Sequence, residues 1–178
     1  MNTQVKDPRA VRTRQMIVDA FNQLIASTNF EQISVKDIAS IASVNRATFY
    51  AHFVDKYELL DEMLTENVRG VMNATFNCNP ELNEDSIVLM FISIAEIHDK
   101  MHTHCRRGYN AFTQRIEDKV KEQFTLLVSP SLHNNHMLAA MFGWALYSAY
   151  VEWDHSRQEP IQTFAKKAAP FLLRLING

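Results

Sequence analysis

The sequence predicts an all-α chain of about nine helices, three short ones at the amino end and five or six longer ones after them. Three observations lead there. Only 4 Gly and 5 Pro are spread over 178 residues, and so few breakers favour long helices over a strand-rich fold with many turns. Apolar residues recur at spacings of three and four through most of the chain, as they do on helices with one buried face. Where the pattern stops, it stops in short polar runs such as "STNF", "NCNPELNE", "SPSLHN" and "HSRQEP". Hydrophobic residues make up 47% and charged residues 21%, the balance of a folded globular chain.

The elements follow in order. From Arg9 to about Thr28, the residues Ile17, Ala20, Phe21, Leu24 and Ile25 form one apolar stripe, with Arg12, Arg14 and Asp19 mostly away from it. Ser34 opens "SVKDIASIA", where Ser34 and Asp37 have capping-box spacing with Asp in place of the usual Glu. Val35, Ile38, Ala39 and Ala42 give that helix a two-turn stripe. "SV" at 43 and 44 is a tight connection, and Asn45, a favoured N-cap residue, opens the short helix "RATFYAHF". Asp55 and Glu58 repeat the capping-box spacing before a helix reaching about Phe76. Helical patterns at 84–103, 108–128, 134–155 and 161–176 complete the chain. A division at 54/55 separates a small amino-terminal domain (1–54) from a larger helical one (55–178).

Charge and composition narrow the function classes. The formal net charge is −2, yet the segment up to Tyr57 holds seven Lys and Arg against five Asp and Glu, leaving −4 on the remainder. A positive end on an acidic body fits a polyanionic partner. Two cysteines make no disulfide framework. The start "MNTQVKDPRAVRTRQ" has no apolar signal-peptide core and no apolar run approaches membrane-spanning length, so a cytoplasmic location away from membranes is expected. No Ser-His-Asp grouping, glycine-rich phosphate loop or nucleotide fingerprint is present, which argues against an enzyme, and no cofactor is expected.

Two short helices joined by a tight turn and preceded by a longer one make a helix-turn-helix pattern. Ala39 is small where the helices must approach, Val44 fills the turn, and Phe49 and Phe53 give the second helix its inward face. The run "SVKDIASIASVNRATFYAHFVDKYELL" (34–60), with "RTRQMIVDAFNQLI" (12–25) before it, closely resembles the tetracycline-repressor (TetR) family of bacterial transcription regulators. The resemblance implies that the second short helix enters the major groove of an operator duplex. It puts Tyr50, His52 and Lys56 on backbone phosphates, the last helped by the amide groups of the helix it starts, and Lys36 and Ser34 on phosphate too. Arg46, Ala47 and Thr48 face base edges. The chain departs from the family at Ser43, where glycine is usual, and at Asn45, where serine is usual. Any positive φ at Ser43 would carry strain, and Asn45 with Arg46 could alter the sequence read.

Beyond about Arg69 the resemblance is architectural, implying a helical ligand-binding domain whose last two helices pair across a two-fold axis. The helix "HMLAAMFGWALYSAYVEW" (136–153) is apolar on nearly all sides, and the last helix presents a stripe. Phe142, Ala149, Phe164, Ala168, Phe171, Leu172 and Leu175 are the expected homodimer face. Phe91, Ile94, His98, Met101, Phe112, Ile116, Trp144 and Tyr147 are the expected lining of a site for a small hydrophobic or aromatic effector. "HDKMHTHC" (98–105) supplies an alternative: His98, His102 and Cys105 lie along one helix face at zinc- or copper-ligand spacing, with Cys78 or His104 as a further ligand. The remaining alternative is a co-activator that kept the helix-turn-helix shape and binds protein.

Overall fold

The computed structural model describes residues 7–76, 81–104 and 109–177. Eight α-helices and two 3-10 turns, with no strand, account for the regular structure of the described residues. The helices are α1 (Pro8–Ser27), α2 (Val35–Ile41), α3 (Arg46–Tyr50), α4 (Lys56–Thr75), α5 (Glu84–His104), α6 (Tyr109–Val128), α7 (His136–Ser156) and α8 (Ile161–Asn177). The turns are Phe30–Gln32 and Pro130–Leu132.

The caps explain where the short helices begin. Ser34 and Asp37 form a complete capping box at the head of α2. The Ser34 hydroxyl donates to the Asp37 carboxylate at 2.5 Å, and that bond holds the Asp37 carboxyl below its ordinary pKa. Asp7 accepts from the Arg9 N–H at the start of α1, with Pro8 in the first turn, where its missing N–H does no harm.

The chain divides into two compact units. The first comprises Met1–Met63 and Met101–Phe112, more than the 1–54 segment expected from sequence. Its core is Ile17, Phe21 and Ile25 of α1 with Ile38, Phe49, Phe53 and Leu60, all buried. The second comprises Leu64–Lys100 and Thr113–Gly178. Its core draws on Phe91 and Ile94 of α5, Ile116 and Phe124 of α6, Phe142 and Leu146 of α7, and Ala165 and Leu172 of α8. Gly143 lets α7 lie close on α6: a Cβ there would sit 3.1 Å from the Thr125 hydroxyl oxygen.

Candidate nucleic-acid interface

A five-residue helix does not persist alone in water, so α3 depends on its surroundings. The Asn45 side-chain oxygen accepts from the Thr48 N–H at 2.7 Å and from the Thr48 hydroxyl at 3.0 Å. Upstream, α2 closes through Ser43, whose φ is 54°. The Ser43 N–H donates to the Ser40 carbonyl (3.2 Å) and the Val44 N–H to the Ala39 carbonyl (2.9 Å), the paired bonds of a Schellman cap. The left-handed residue that the turn demands is thus a serine here. Phe49 and Phe53 are buried with rings 5.8 Å apart. Over Phe53, at 4.6 Å, lies the Arg14 guanidinium, itself ion-paired to Glu62 of α4. With that face anchored, Arg46 and Ala47 are exposed, Thr48 and His52 are half-buried, and Tyr50 is 50% exposed. Asn45 and Lys36 are exposed as well.

Two residues expected on phosphate have intramolecular partners. The Ser34 N–H and hydroxyl both donate to Asp37. Lys56 is half-buried, and its ammonium donates to the carbonyls of Phe30 (2.9 Å), Ile33 (3.0 Å) and Glu31 (3.3 Å). It also stands 4.4 Å above the Phe30 ring. The start of α4 is closed by acids, since Asp55 accepts from the N–H groups of Tyr57 and Glu58, and Glu58 reaches back to the Val54 N–H at 2.5 Å. The capping box expected at Asp55 and Glu58 is present, shifted by one residue at its return bond.

In the second unit Phe91, Ile94 and Ile116 are packed core, Phe91 edge-on to Phe164 at 6.0 Å. His98 is buried, with its Nε2 3.2 Å from the Tyr147 hydroxyl and its ring stacked on Tyr150 at 5.0 Å. Burial pushes its pKa below the ordinary histidine value, against the opposing charges of Asp154, Asp99 and Glu117. Met101 and Phe112 are buried in the first unit, Phe112 against Phe30. Trp144, expected in a pocket wall, is 62% exposed on the outward side of α7. Phe142, expected at the dimer face, is 1% exposed and belongs to the core, and Leu172 is buried too. Phe171 and Leu175 are exposed, and Phe164, Ala168 and Ala149 are partly so. Trp144, Lys121, Leu126, His136 and Ala140 line a surface groove of 440 Å³ between α6 and α7. As for a metal, His98 is buried while His102 is exposed, and no three His, Cys, Asp or Glu among the described residues converge on a metal position. Cys78 and Cys105 lie outside the described residues, as does the side chain of His104.

The family model described as "Bacterial regulatory proteins, tetR family" matches residues 17–63, the span holding α2, α3 and their anchors. Over these residues the chain is similar to the tetR family. Among its relatives is an uncharacterized HTH-type transcriptional regulator, YxbF, of Bacillus subtilis (strain 168), 34% identical over 93% of this chain and 46% of that one. The dhaKLM operon transcriptional activator DhaS of Lactococcus lactis subsp. lactis (strain IL1403) is 29% identical over 50% of this chain and 48% of that one. The chain therefore spans about half the length of these curated relatives. A solved structure, the multidrug binding protein EbrR complexed with imidazole, shares the fold, with a TM-score of 0.60 at 16% identity over 92% of this chain and 94% of that one. Both of these curated relatives are named as transcription regulators, YxbF as a regulator and DhaS as an activator.

Sequence reasoning passed over two features of this chain. Phe30 is the aromatic centre of the first unit, edge-on to Phe21 (6.2 Å), Tyr57 (5.2 Å) and Phe112 (5.1 Å). The apolar residue ending "STNF" was its only signal. Met137 and Met141 join Trp144 as large exposed residues of α7, and an all-round apolar helix gives no period from which to pick them out.

Proposed function

We propose that the chain is a homodimeric, DNA-binding transcription regulator of the cytoplasm, a repressor whose helical body releases a palindromic operator on binding a small hydrophobic or aromatic effector. The observation that carries it is α3: its aromatic face is locked by Phe49 and Phe53 while Arg46, Ala47 and Tyr50 stand exposed beside Thr48. That is the arrangement by which a helix enters a major groove. Arg46 and Thr48 read base edges; Tyr50, His52 and Lys36 hold the backbone.

Dimerisation uses the outward faces of α7 and α8, where Met137, Met141, Trp144, Phe171 and Leu175 are large, apolar and exposed. Such a patch on one chain is the mark of an association surface, and a two-fold pairing supplies the second reading head that a palindrome needs. The effector acts by population shift, binding better to the form whose heads no longer match adjacent grooves. His98 and Tyr147 are the polar fixtures that would orient it within an apolar surround of Phe91, Ile94 and Ile116. α4 contributes residues to both units, which makes it the means of transmission.

The test is fluorescence anisotropy with a duplex from the chain's own upstream region against a scrambled one. The natural duplex should bind more tightly, and Arg46→Ala should erase roughly 1–3 kcal/mol of that preference while leaving scrambled binding nearly intact. Equal affinity for both duplexes, unchanged in the variant, would overturn base reading by α3. A reporter fused to that region decides the sense of regulation: repression predicts higher output when the gene is deleted.

A further inference from the structure

We infer that Arg69 of α4 and Gln123 of α6 form a recognition site for the carboxylate of a small apolar acid. The inference rests on the reading of the second unit as an effector domain and deepens it by giving the effector an acidic head.

Its basis is a buried amide with half of its hydrogen bonding unmet. Gln123 is 6% exposed. Its Oε1 accepts from the Arg69 Nε–H at 3.0 Å, while its Nε2 is buried and meets no hydrogen-bond partner among the described residues. Turning the amide round does not cure this, because its N–H groups would then face the guanidinium, donor against donor. Arg69 therefore fixes which end of the amide is left over. A buried donor without an acceptor costs about 1–3 kcal/mol, and most buried polar side chains in folded proteins avoid that cost. A leucine or methionine of similar size would fill the position without it.

Arg69 has the matching deficit. Among the described residues its one hydrogen-bonding or ionic partner is Gln123, which is neutral. A guanidinium carries five N–H donors, and Gln123 takes one of them. Lysines on α5 and α6 have carboxylates: Lys100 pairs with Glu96, Lys119 with Glu122 and Lys121 with Glu117. Arg69 does not.

The two deficits ask for one ligand group. A buried amide N–H beside a fork of guanidinium N–H groups calls for an acceptor that is negative and has two oxygens. A carboxylate offers one oxygen to each side and matches the planar fork. A neutral carbonyl would satisfy the amide and leave the charge unmatched. Phosphate carries more charge and is costlier to bring against a buried group. The surroundings set the rest of the molecule. Ile116 and Val120 share the Gln123 face of α6 and are buried, as is Met72, one turn along α4 from Arg69. The remainder of the acid is thus aliphatic or aromatic. Arg69 is exposed, so its charge meets the acid first, and Gln123 receives it within.

Two-dimensional NMR of nitrogen-15-labelled wild-type protein follows the Gln123 Nε2 N–H pair directly, with no DNA present. Benzoate and octanoate should shift that pair saturably. Benzamide, inorganic phosphate and sodium chloride at matched ionic strength should not. Gln123→Leu removes the unmet donor, so it should raise the urea midpoint and weaken benzoate about tenfold or more. Gln123→Glu gives Arg69 a carboxylate of its own and should abolish binding. A pair unmoved by both acids, or moved equally by benzamide or phosphate, would overturn the carboxylate site whatever the variants do.

The site and the effector reading fail separately. Benzoate and octanoate that shift the pair but leave binding to the upstream duplex unchanged would keep the site and overturn the acid's role as effector. A neutral molecule that releases the duplex, while both acids leave the pair unmoved, would keep the effector reading and overturn the site.

Discussion

Replacing Ser43 by glycine should stabilise the protein without touching its affinity for DNA. Ser43 sits at φ 54°, the left-handed region, immediately after α2. A side chain there crowds the following carbonyl and costs on the order of 1–2 kcal/mol, which glycine avoids. Glycine gives back roughly 0.5–1 kcal/mol because its unfolded chain has more freedom to lose. The two bonds that close the turn, to Ser40 and Ala39, are made by backbone N–H groups and survive the change. Ser43 is exposed, so little packing is lost with its hydroxymethyl group. The balance is about 0.5–1 kcal/mol in favour of Ser43→Gly, or a melting temperature higher by roughly 1–4 °C. Urea denaturation of both proteins, with equal m-values, reads it as a raised midpoint. A midpoint unchanged or lowered at the same m would mean that the turn holds no strain for glycine to relieve.

The outward faces of α7 and α8 predict that Phe171→Glu, at a residue 67% exposed in the single chain, leaves helicity intact and raises the dimer dissociation constant by roughly 100-fold or more. A two-fold interface loses each contact twice, and sedimentation equilibrium beside circular dichroism checks it; an unaltered dimer removes these faces from the interface. His98 predicts an acid-sensitive second unit. Its native pKa lies below the ordinary value of 6.5 because burial disfavours the charged ring, so as pH falls the unfolded chain takes up the proton first. That contribution to stability is whole above about pH 6.5 and is lost as pH drops from there toward the native pKa. Denaturation midpoints across this window should fall less steeply in His98→Gln, and parallel curves would show that His98 contributes nothing to the pH dependence.

How much was legible in the sequence depended on how local each cause was. The caps at Ser34 and Asn45, the turn at Ser43 and the inward pair Phe49 and Phe53 rest on residues within four or five positions of one another, and each appears where the spacing placed it. Helix limits came within a few residues for the same reason. Lys56 did not, because its carbonyl partners lie 23 to 26 residues back, and a long flexible side chain carries no mark of its direction. The contact of His98 with Tyr147 spans 49 positions and depends on how α5 and α7 meet. On α7 the apolar residues run all the way round, so no period separates buried Phe142 from exposed Trp144. Sequence periodicity locates a face only where the opposite face is polar.

Whether α3 reads DNA from a two-fold dimer is decided by selection from a pool of randomised duplexes. Purified protein, cycled against the pool and sequenced, should enrich a pseudo-palindrome whose half-sites are centred about one helical turn apart or a multiple of it. Repeating the selection with Arg46→Ala should blur specific positions in both half-sites together. Enrichment of no motif, or of a single unrepeated site indifferent to Arg46, would contradict the account.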